Sequence, residues 1–233
     1  MEWDRLPVVD RELQVLHGLV SLNRQKIIEM GCGEAQLARE LLRLYPQCEV
    51  TALEVDERQH RKNLATPQSG LHFVRAGAQS VPFPGESFDL ALMLKSLHHV
   101  PLALIQDALA EVARVLKPGG YLYVSEPVYG GAFNDVLKLF HDEAHVRQVA
   151  QSALDHLACS DGLLREVGHR FFATSSKFLN FDEFERRLVN VTYADHALDP
   201  DTLAKVRQAF ATHCQGDGAT FIRPMHVRLF QRQ

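Results

Sequence analysis

From residue 26 to residue 230, short apolar runs take turns with stretches of helical periodicity, and this alternation limits the folds open to the chain. An unbroken apolar run suits a strand buried on both faces. A helical stretch between two such runs carries the chain back to begin the next parallel strand. The pattern therefore predicts an α/β fold, with helices on both faces of a mainly parallel sheet. Strands are expected at 26–30, 49–54, 71–75, 88–94 and 121–125. Over 34–45, Leu37, Leu41 and Leu44 recur at helical spacing and Pro46 ends the run. A second helix is expected at 56–64. Leu102, Ile105, Leu109, Val112 and Leu116 mark a third over 101–116, which Lys117-Pro118-Gly119-Gly120 should stop.

Past residue 130 the alternation breaks. Residues 130–177 read as mostly helical and rich in His, and a helix over 182–188 feeds a strand at 189–193. Asp199 as N-cap and Pro200 at the first helical position open a last helix. A terminal strand follows at 221–230, with Met225, Val227 and Leu229 on one face and His226 and Arg228 on the other. Pro224 suits its start or a sheet edge. The 233 residues are expected to make one domain, with a core over about 26–126 and a helical, substrate-covering insertion over about 130–177.

Charge narrows the partners. With 25 Lys plus Arg against 29 Asp plus Glu the net charge is −4, and no basic cluster exceeds Arg61-Lys62. Such a surface has no footprint for a phosphate backbone, so nucleic acid is not the expected substrate. No apolar run is longer than 90–94, against the roughly 20 residues of a membrane-crossing helix. The acidic start Met1-Glu2-Trp3-Asp4 lacks the features of a secretory signal, and the expected compartment is the cytoplasm. Cys32, Cys48, Cys159 and Cys214 form no Cys-x-x-Cys pair, which argues for reduced thiols.

The chemistry points to the turn Glu29-Met30-Gly31-Cys32-Gly33-Glu34-Ala35 between the first strand and its helix. Two glycines at i and i+2 let backbone approach a bound ligand where side chains would collide. A nucleoside-type cofactor is the first candidate. Gln36 stands where the dinucleotide fingerprint wants a third glycine, which disfavours a pyrophosphate loop. Glu54, at the end of the second strand, is placed to accept hydrogen bonds from both hydroxyls of a ribose.

Further motifs follow in order: Ala76-Gly77-Ala78-Gln79 before Val81-Pro82-Phe83, then Ser87-Phe88-Asp89-Leu90, Leu97-His98-His99, and Leu116-Lys117-Pro118-Gly119-Gly120-Tyr121-Leu122. With the glycine turn and the strand-two acid, this series resembles the class I S-adenosylmethionine-dependent methyltransferases, in their broad small-molecule branch, over about residues 26 to 126. The resemblance implies a Rossmann-like, seven-stranded sheet with an antiparallel C-terminal strand, S-adenosylmethionine as cofactor, and in-line methyl transfer to a small-molecule acceptor. It implies that Glu29, Gly31, Cys32 and Gly33 lie against the methionine end, that Glu54 holds the ribose with Val55 beside the adenine, that Gly77, Ala78 and Gln79 meet the adenine edge, and that Leu94 and Lys95 face the methionyl group. Two positions depart from the family pattern. Ala35 replaces a frequent third glycine, and Gly77 stands where an aspartate commonly binds the adenine amine.

An in-line displacement needs a positioned acceptor and, for a hydroxyl or a protonated nitrogen, a base. His99, just past strand four, and Tyr129, just past strand five, sit at the sheet edge where ligands bind in such folds. His141 is a third acceptor-side candidate. It stands four residues before His145, the spacing of a His-pair metal site on one helical face; with no third ligand evident, no metal is assigned. Phe133, Phe140, Phe171 and Phe172 suggest a partly apolar pocket. Three other readings compete: a non-catalytic cofactor-binding module, favoured by Gly77; an NAD-dependent oxidoreductase, opposed by Gln36 and the Leu-Lys-Pro-Gly-Gly motif; and an RNA methyltransferase using Arg223, Arg228 and Arg232, for which no Asn-Pro-Pro-Tyr motif is present.

Overall fold

A computed structural model describes residues 3–190 and 198–233. Its sheet runs β3 (Leu71–Val74), β2 (Glu49–Leu53), β1 (Lys26–Met30), β4 (Phe88–Leu94), β5 (Leu116–Pro127), β8 (Gly218–Arg232), β6 (Leu164–Phe178), and a short β7 (Cys214–Gln215) pairs with β8. Strands β1 to β5 pair in parallel, and the C-terminal strands join antiparallel. This is the Rossmann-like order: the chain starts in the middle, builds outward to β3, then crosses to β4 on the other side of β1. The crossing leaves the carboxyl ends of β1 and β4 side by side, the place where open α/β sheets bind ligands.

The helices are α1 (Glu12–His17), α2 (Gln36–Leu44), α3 (Glu57–Leu64), α4 (Ile105–Val115), α5 (Ala132–Leu137), α6 (Ala144–Cys159), α7 (Phe181–Phe184) and α8 (Pro200–Ala211). Helix α3 starts where the sequence says it should, because the Asp56 carboxylate accepts the Arg58 amide at 2.8 Å. Asp199 caps α8 in the same way, accepting from Thr202 N at 2.9 Å.

By contact density the chain divides into two compact units. One comprises Arg11–Glu126, Val146–Arg170 and His226–Gln233; the other comprises Met1–Asp10, Pro127–His145 and Phe171–Met225. In the first, strand alternation sends Ile28, Met30, Leu53, Ala91, Met93, Leu122 and Val124 to one face of the sheet. There they pack with Ile105, Leu109 and Val112 of α4 and with Ala150 and Leu154 of α6. The opposite face carries a different row. Glu29 pairs with Leu92 and Leu92 with Tyr123, so a carboxyl and a phenol lie on one line of buried side chains. The second unit has an aromatic core of Phe133, Phe178, Phe181, Phe184, Phe210 and Phe221, closed by aliphatic groups such as Val136 and Val206.

Several expectations need correction. The predicted helical stretch over 130–177 is helical only as far as Cys159; from Leu164 it is a strand of 15 residues. Its sequence, Leu-Arg-Glu-Val-Gly-His-Arg-Phe-Phe, carries the β-formers that outweigh the local helical spacing. Strand five begins at Leu116 rather than Tyr121: Leu116 pairs with Phe88 and the register shifts before Leu90 meets Tyr121. Gly119 (φ +80°) and Gly120, whose Cβ would lie 2.9 Å from Asp89 O, make that irregular start possible. The strand expected at 189–193 falls largely outside the described residues, and Val189 itself ends a wide helical turn. Helix α1 was not foreseen from the sequence.

Candidate active site

The loop after β1 is held from below. Gly31 N and Cys32 N both donate to Leu53 O, at 3.0 and 2.9 Å, tying the turn to the end of β2. Gly31 has φ +72°, and a Cβ there would sit 2.7 Å from Ser96 Cβ, whose hydroxyl donates to Met30 O at 2.7 Å. Gly31 is therefore required twice over, by conformation and by the close approach of the β4 edge. Gly31→Ala is expected to cost about 2 kcal/mol of stability, readable by urea unfolding; an unchanged midpoint would contradict the packing described. Gly33 (φ +53°) differs: a Cβ there would meet nothing within 4 Å, so its conformation alone selects glycine and the outer side of the turn is open. Ala35 takes the left-handed conformation too (φ +54°), with its methyl buried. Burial and the nearby Glu29 and Glu54 carboxyls push the Cys32 thiol well above the usual thiol range, which makes it a packing group and not a nucleophile.

Glu54 is buried at the end of β2, with both carboxylate oxygens held by backbone. Oε2 accepts from Gly33 N and Oε1 from Asp56 N, each at 2.8 Å. A carboxylate oxygen accepts more than one hydrogen bond, so this grip orients Glu54 and leaves it acceptor capacity. Val55 beside it is 65% exposed, an apolar surface next to the carboxylate. Asn63, on α3 and only 2% exposed, completes the arrangement by donating to Gly33 O at 2.7 Å and to Cys32 Sγ at 3.7 Å. Sequence reading missed Asn63, since one amide in a charged helix gives no signal of burial.

Beyond β3, Ala78 is buried and the Gln79 carboxamide folds back over Gly77. A Cβ on Gly77 would lie 2.7 Å from Gln79 Nε2 and 2.8 Å from Cδ. The place where the family pattern has an acid is thus covered by an amide, a group that can both donate and accept.

At the end of β4, Leu94 leads into Lys95, whose φ of +56° is rare for a residue with a side chain. Lys95 N donates to Ser125 O at 2.7 Å, and its ammonium pairs with Glu12 Oε2 at 3.1 Å. Glu29 is 3% exposed, and burial raises its carboxyl to about 8 despite Lys95 nearby. Just beyond, His98 Nδ1 is paired with Glu126 Oε2, and Glu126 Oε1 accepts Leu97 N at 2.9 Å. His98 is buried, while His99 is exposed with its ring centroid 4.1 Å from that of His98. The histidine paired with Glu126 is the neighbour of the one singled out by sequence.

Glu29, Gly31, Cys32, Gly33, Glu54, Val55, Gly77, Ala78, Gln79, Leu94, Lys95 and His99 thus all lie in the first unit, at or just past the carboxyl ends of β1 to β4. Tyr129 and His141 belong to the second unit. Tyr129 donates to Asp142 Oδ1 at 2.9 Å, which raises the phenol above its ordinary range, and His141 Nε2 lies 3.0 Å from Glu143 Oε1. His141 precedes α6, whose first turn holds His145, so the two histidines do not share a helical face as their spacing suggested. Asp142 caps the helix instead, accepting Ala144 N at 3.0 Å, and this cap starts the helix too late for the pair.

The stretch that carries this glycine turn and clamped carboxylate is similar in sequence to known proteins. The pattern of a family described as "Methyltransferase domain" matches residues 28–124. Residues 28–124 are thus similar to a methyltransferase domain. The chain is 37% identical over 112 residues to a phthiotriol/phenolphthiotriol dimycocerosates methyltransferase of Mycobacterium ulcerans, covering 46% of this chain and 39% of that one. It is 36% identical over 107 residues to a fatty-acid O-methyltransferase of Mycolicibacterium smegmatis, covering 44% and 37%. The match therefore spans under two fifths of the length of these relatives. Among solved structures, the YcgJ protein of Bacillus subtilis superposes with a TM-score of 0.64 at 15% identity, over 95% of this chain and 97% of its own, which shows a shared fold.

The similarity to methyltransferases implies S-adenosylmethionine as cofactor, and the residues present fit it. The cofactor brings a nucleoside and a cationic amino-acid end. The turn offers an open glycine edge at Gly33, Glu54 offers a fixed carboxylate for a diol, and Glu29 Oε2 is buried with no hydrogen-bond partner among the described residues.

Proposed function

We propose that this chain transfers a methyl group from S-adenosylmethionine to a small-molecule acceptor. The observation that carries the reading is Glu54: a buried carboxylate held by Gly33 N and Asp56 N at 2.8 Å, with the open edge of the glycine turn beside it. In this role Glu54 takes the ribose hydroxyls and Val55 covers the adenine. The Gln79 carboxamide supplies the adenine hydrogen bond that Gly77 lacks, and Glu29 and Lys95 meet the methionine end. The cofactor supplies the activated methyl carbon. The protein's own work is to orient the acceptor for in-line attack and take its proton.

For that proton His98 is better equipped than His99. Glu126 pairs with its Nδ1 and so orients the ring, as a carboxylate does for a catalytic imidazole. Tyr129 and His141 are assigned to acceptor contacts. The named activities of the relatives, on a fatty acid and on phthiotriol lipids, favour an apolar acceptor bearing a hydroxyl or carboxyl. The net charge of −4 and the scattered basic residues favour such an acceptor over nucleic acid, with the cytoplasm as the working compartment. Among the described residues no helix is long and apolar enough to cross a membrane.

Parallel calorimetric titrations with S-adenosylmethionine, its demethylated product and NAD test the reading. Micromolar binding of the first two and none of NAD is expected. Binding of NAD alone, or of none of the three, would overturn it.

A further inference from the structure

Residues 3–9, which no motif marks, are built into the second unit. Trp3–Arg5 make a single helical turn, with Leu6 N donating to Trp3 O at 3.3 Å, and Val8 then forms a parallel bridge to Ala173 of β6. Val9 N donates to Ala173 O at 2.8 Å and Ala173 N to Pro7 O at 2.9 Å, so backbone hydrogen bonds fix the segment in place. Held there, the Trp3 indole lies over Gly130. A Cβ on Gly130 would sit 3.0 Å from the indole Nε1 and 3.5 Å from Cε2, a contact that pushes the ring away, and glycine is the residue that admits it. On its other side Trp3 meets Phe171 of β6, with ring centroids 6.4 Å apart and planes inclined at 47°.

These two rings stand outside the aromatic core of their unit. The core phenylalanines are buried against one another, whereas Trp3 and Phe171 are only half-buried and Val8 of the same segment is 52% exposed. Tyr129, next in the chain to Gly130, is also exposed, and it is fixed from two directions: Val128 N donates to Pro224 O at 2.9 Å, and the phenol donates to Asp142 Oδ1 at 2.9 Å. Single exposed apolar side chains are ordinary, but several that adjoin on a segment held by backbone mark a binding surface. Uncharged aromatic rings that end at an oriented hydroxyl suit a molecule with an apolar body and one polar end. The Tyr129 proton is given to Asp142, so the phenol oxygen is left to accept, and the matching polar end is a donor such as a hydroxyl.

We propose that Trp3 and Phe171 form the apolar wall of the acceptor site: the alkyl chain of an amphiphilic alcohol lies against the two rings while its hydroxyl donates to Tyr129. The occupant is a free small molecule. The inference rests on the methyltransferase reading, in which Tyr129 contacts the acceptor, and adds to it the side chains that select the acceptor's apolar part and the kind of polar end they leave room for. Trp3 and Phe171 take no part in the methyl transfer itself and act on specificity alone. A carboxylate at the same end would face the Asp142 carboxylate across the phenol, and this repulsion separates alcohols from acids.

Trp3 is the single tryptophan of the chain, so indole fluorescence reports on this wall alone. The intact protein, saturated with the demethylated product of S-adenosylmethionine, is titrated with octan-1-ol, with octanoate, and with ethanol as a head group without a chain. Octan-1-ol is expected to shift the Trp3 emission to the blue with saturation at one site per chain, octanoate to do so about tenfold more weakly, and ethanol to leave it unchanged. By calorimetry Trp3→Ala should bind octan-1-ol about tenfold more weakly and Trp3→Phe nearly as the wild type does, both with unaltered affinity for S-adenosylmethionine. The wild-type emission decides the matter even if Trp3→Ala fails to fold. Octan-1-ol heats without a change in Trp3 emission, octanoate binding as tightly as octan-1-ol, equal affinity in Trp3→Ala, or no octan-1-ol binding by protein that takes the cofactor product would each overturn the proposal and leave the cofactor assignment intact. Failure to bind S-adenosylmethionine or its product would overturn that assignment, and the acceptor site with it.

Discussion

Glu54→Ala is expected to weaken S-adenosylmethionine binding by about ten- to a hundredfold, the effect of losing hydrogen bonds to a charged group worth about 1.5–3 kcal/mol. Two losses add. The ribose hydroxyls lose their acceptor, and the amides of Gly33 and Asp56, each 2.8 Å from a Glu54 oxygen, lose theirs. The turn would then keep Asn63, through Gly33 O, and the bonds of Gly31 N and Cys32 N to Leu53 O. Glu54→Gln separates the two losses. Its single carbonyl oxygen can serve one of the two amides, while its NH₂ faces the other, so an intermediate affinity is expected. Calorimetric titration of both variants, with thermal melts to confirm folding, provides the check. Unchanged affinity in Glu54→Ala would remove Glu54 from the cofactor site.

Phe184→Ala is expected to cost about 3–5 kcal/mol, the usual toll of emptying an aromatic site in a well-packed core, and to lower Tm by on the order of 10 °C. Phe184 is fully buried, with its ring centroid 5.0 Å from that of Phe210, 5.2 Å from Phe178 and 5.8 Å from Phe181. The rigid rings around it relax poorly into such a cavity. Urea unfolding gives the number. A loss below about 1 kcal/mol would mean that this aromatic cluster is loosely packed.

The centre of the parallel half of the sheet was legible because β1 and β4 are buried on both faces and α2 and α4 each show one apolar stripe. Local pattern and final environment then agree, as at 26–30, 88–94 and 105–115. The region past residue 127 was less so. Residues 164–178 make a strand whose alternate side chains reach solvent, and its partner is β8, some fifty residues away along the chain. No window of neighbouring residues contains that pairing, and a His-rich stretch with modest helical periodicity read as helix. The glycine turn and Glu54 were visible as motifs, since their residue types follow from backbone constraints. The pairing of His98 with Glu126 was not visible: the carboxylate arrives from the end of β5, 28 residues further along the chain.

By itself, then, the order of apolar runs and glycine turns determined a mainly parallel α/β sheet with a glycine turn at its carboxyl edge, because periodicity and φ preferences are local properties that the chain carries wherever it folds. Tertiary structure alone decided the electrostatics of that edge. Glu29 is an ordinary carboxyl in the sequence; burial in the folded chain raises its pKa to about 8 and leaves its Oε2 without a donor among the described residues. Desolvation depends on every element packed against a group, and only the folded chain brings those elements together.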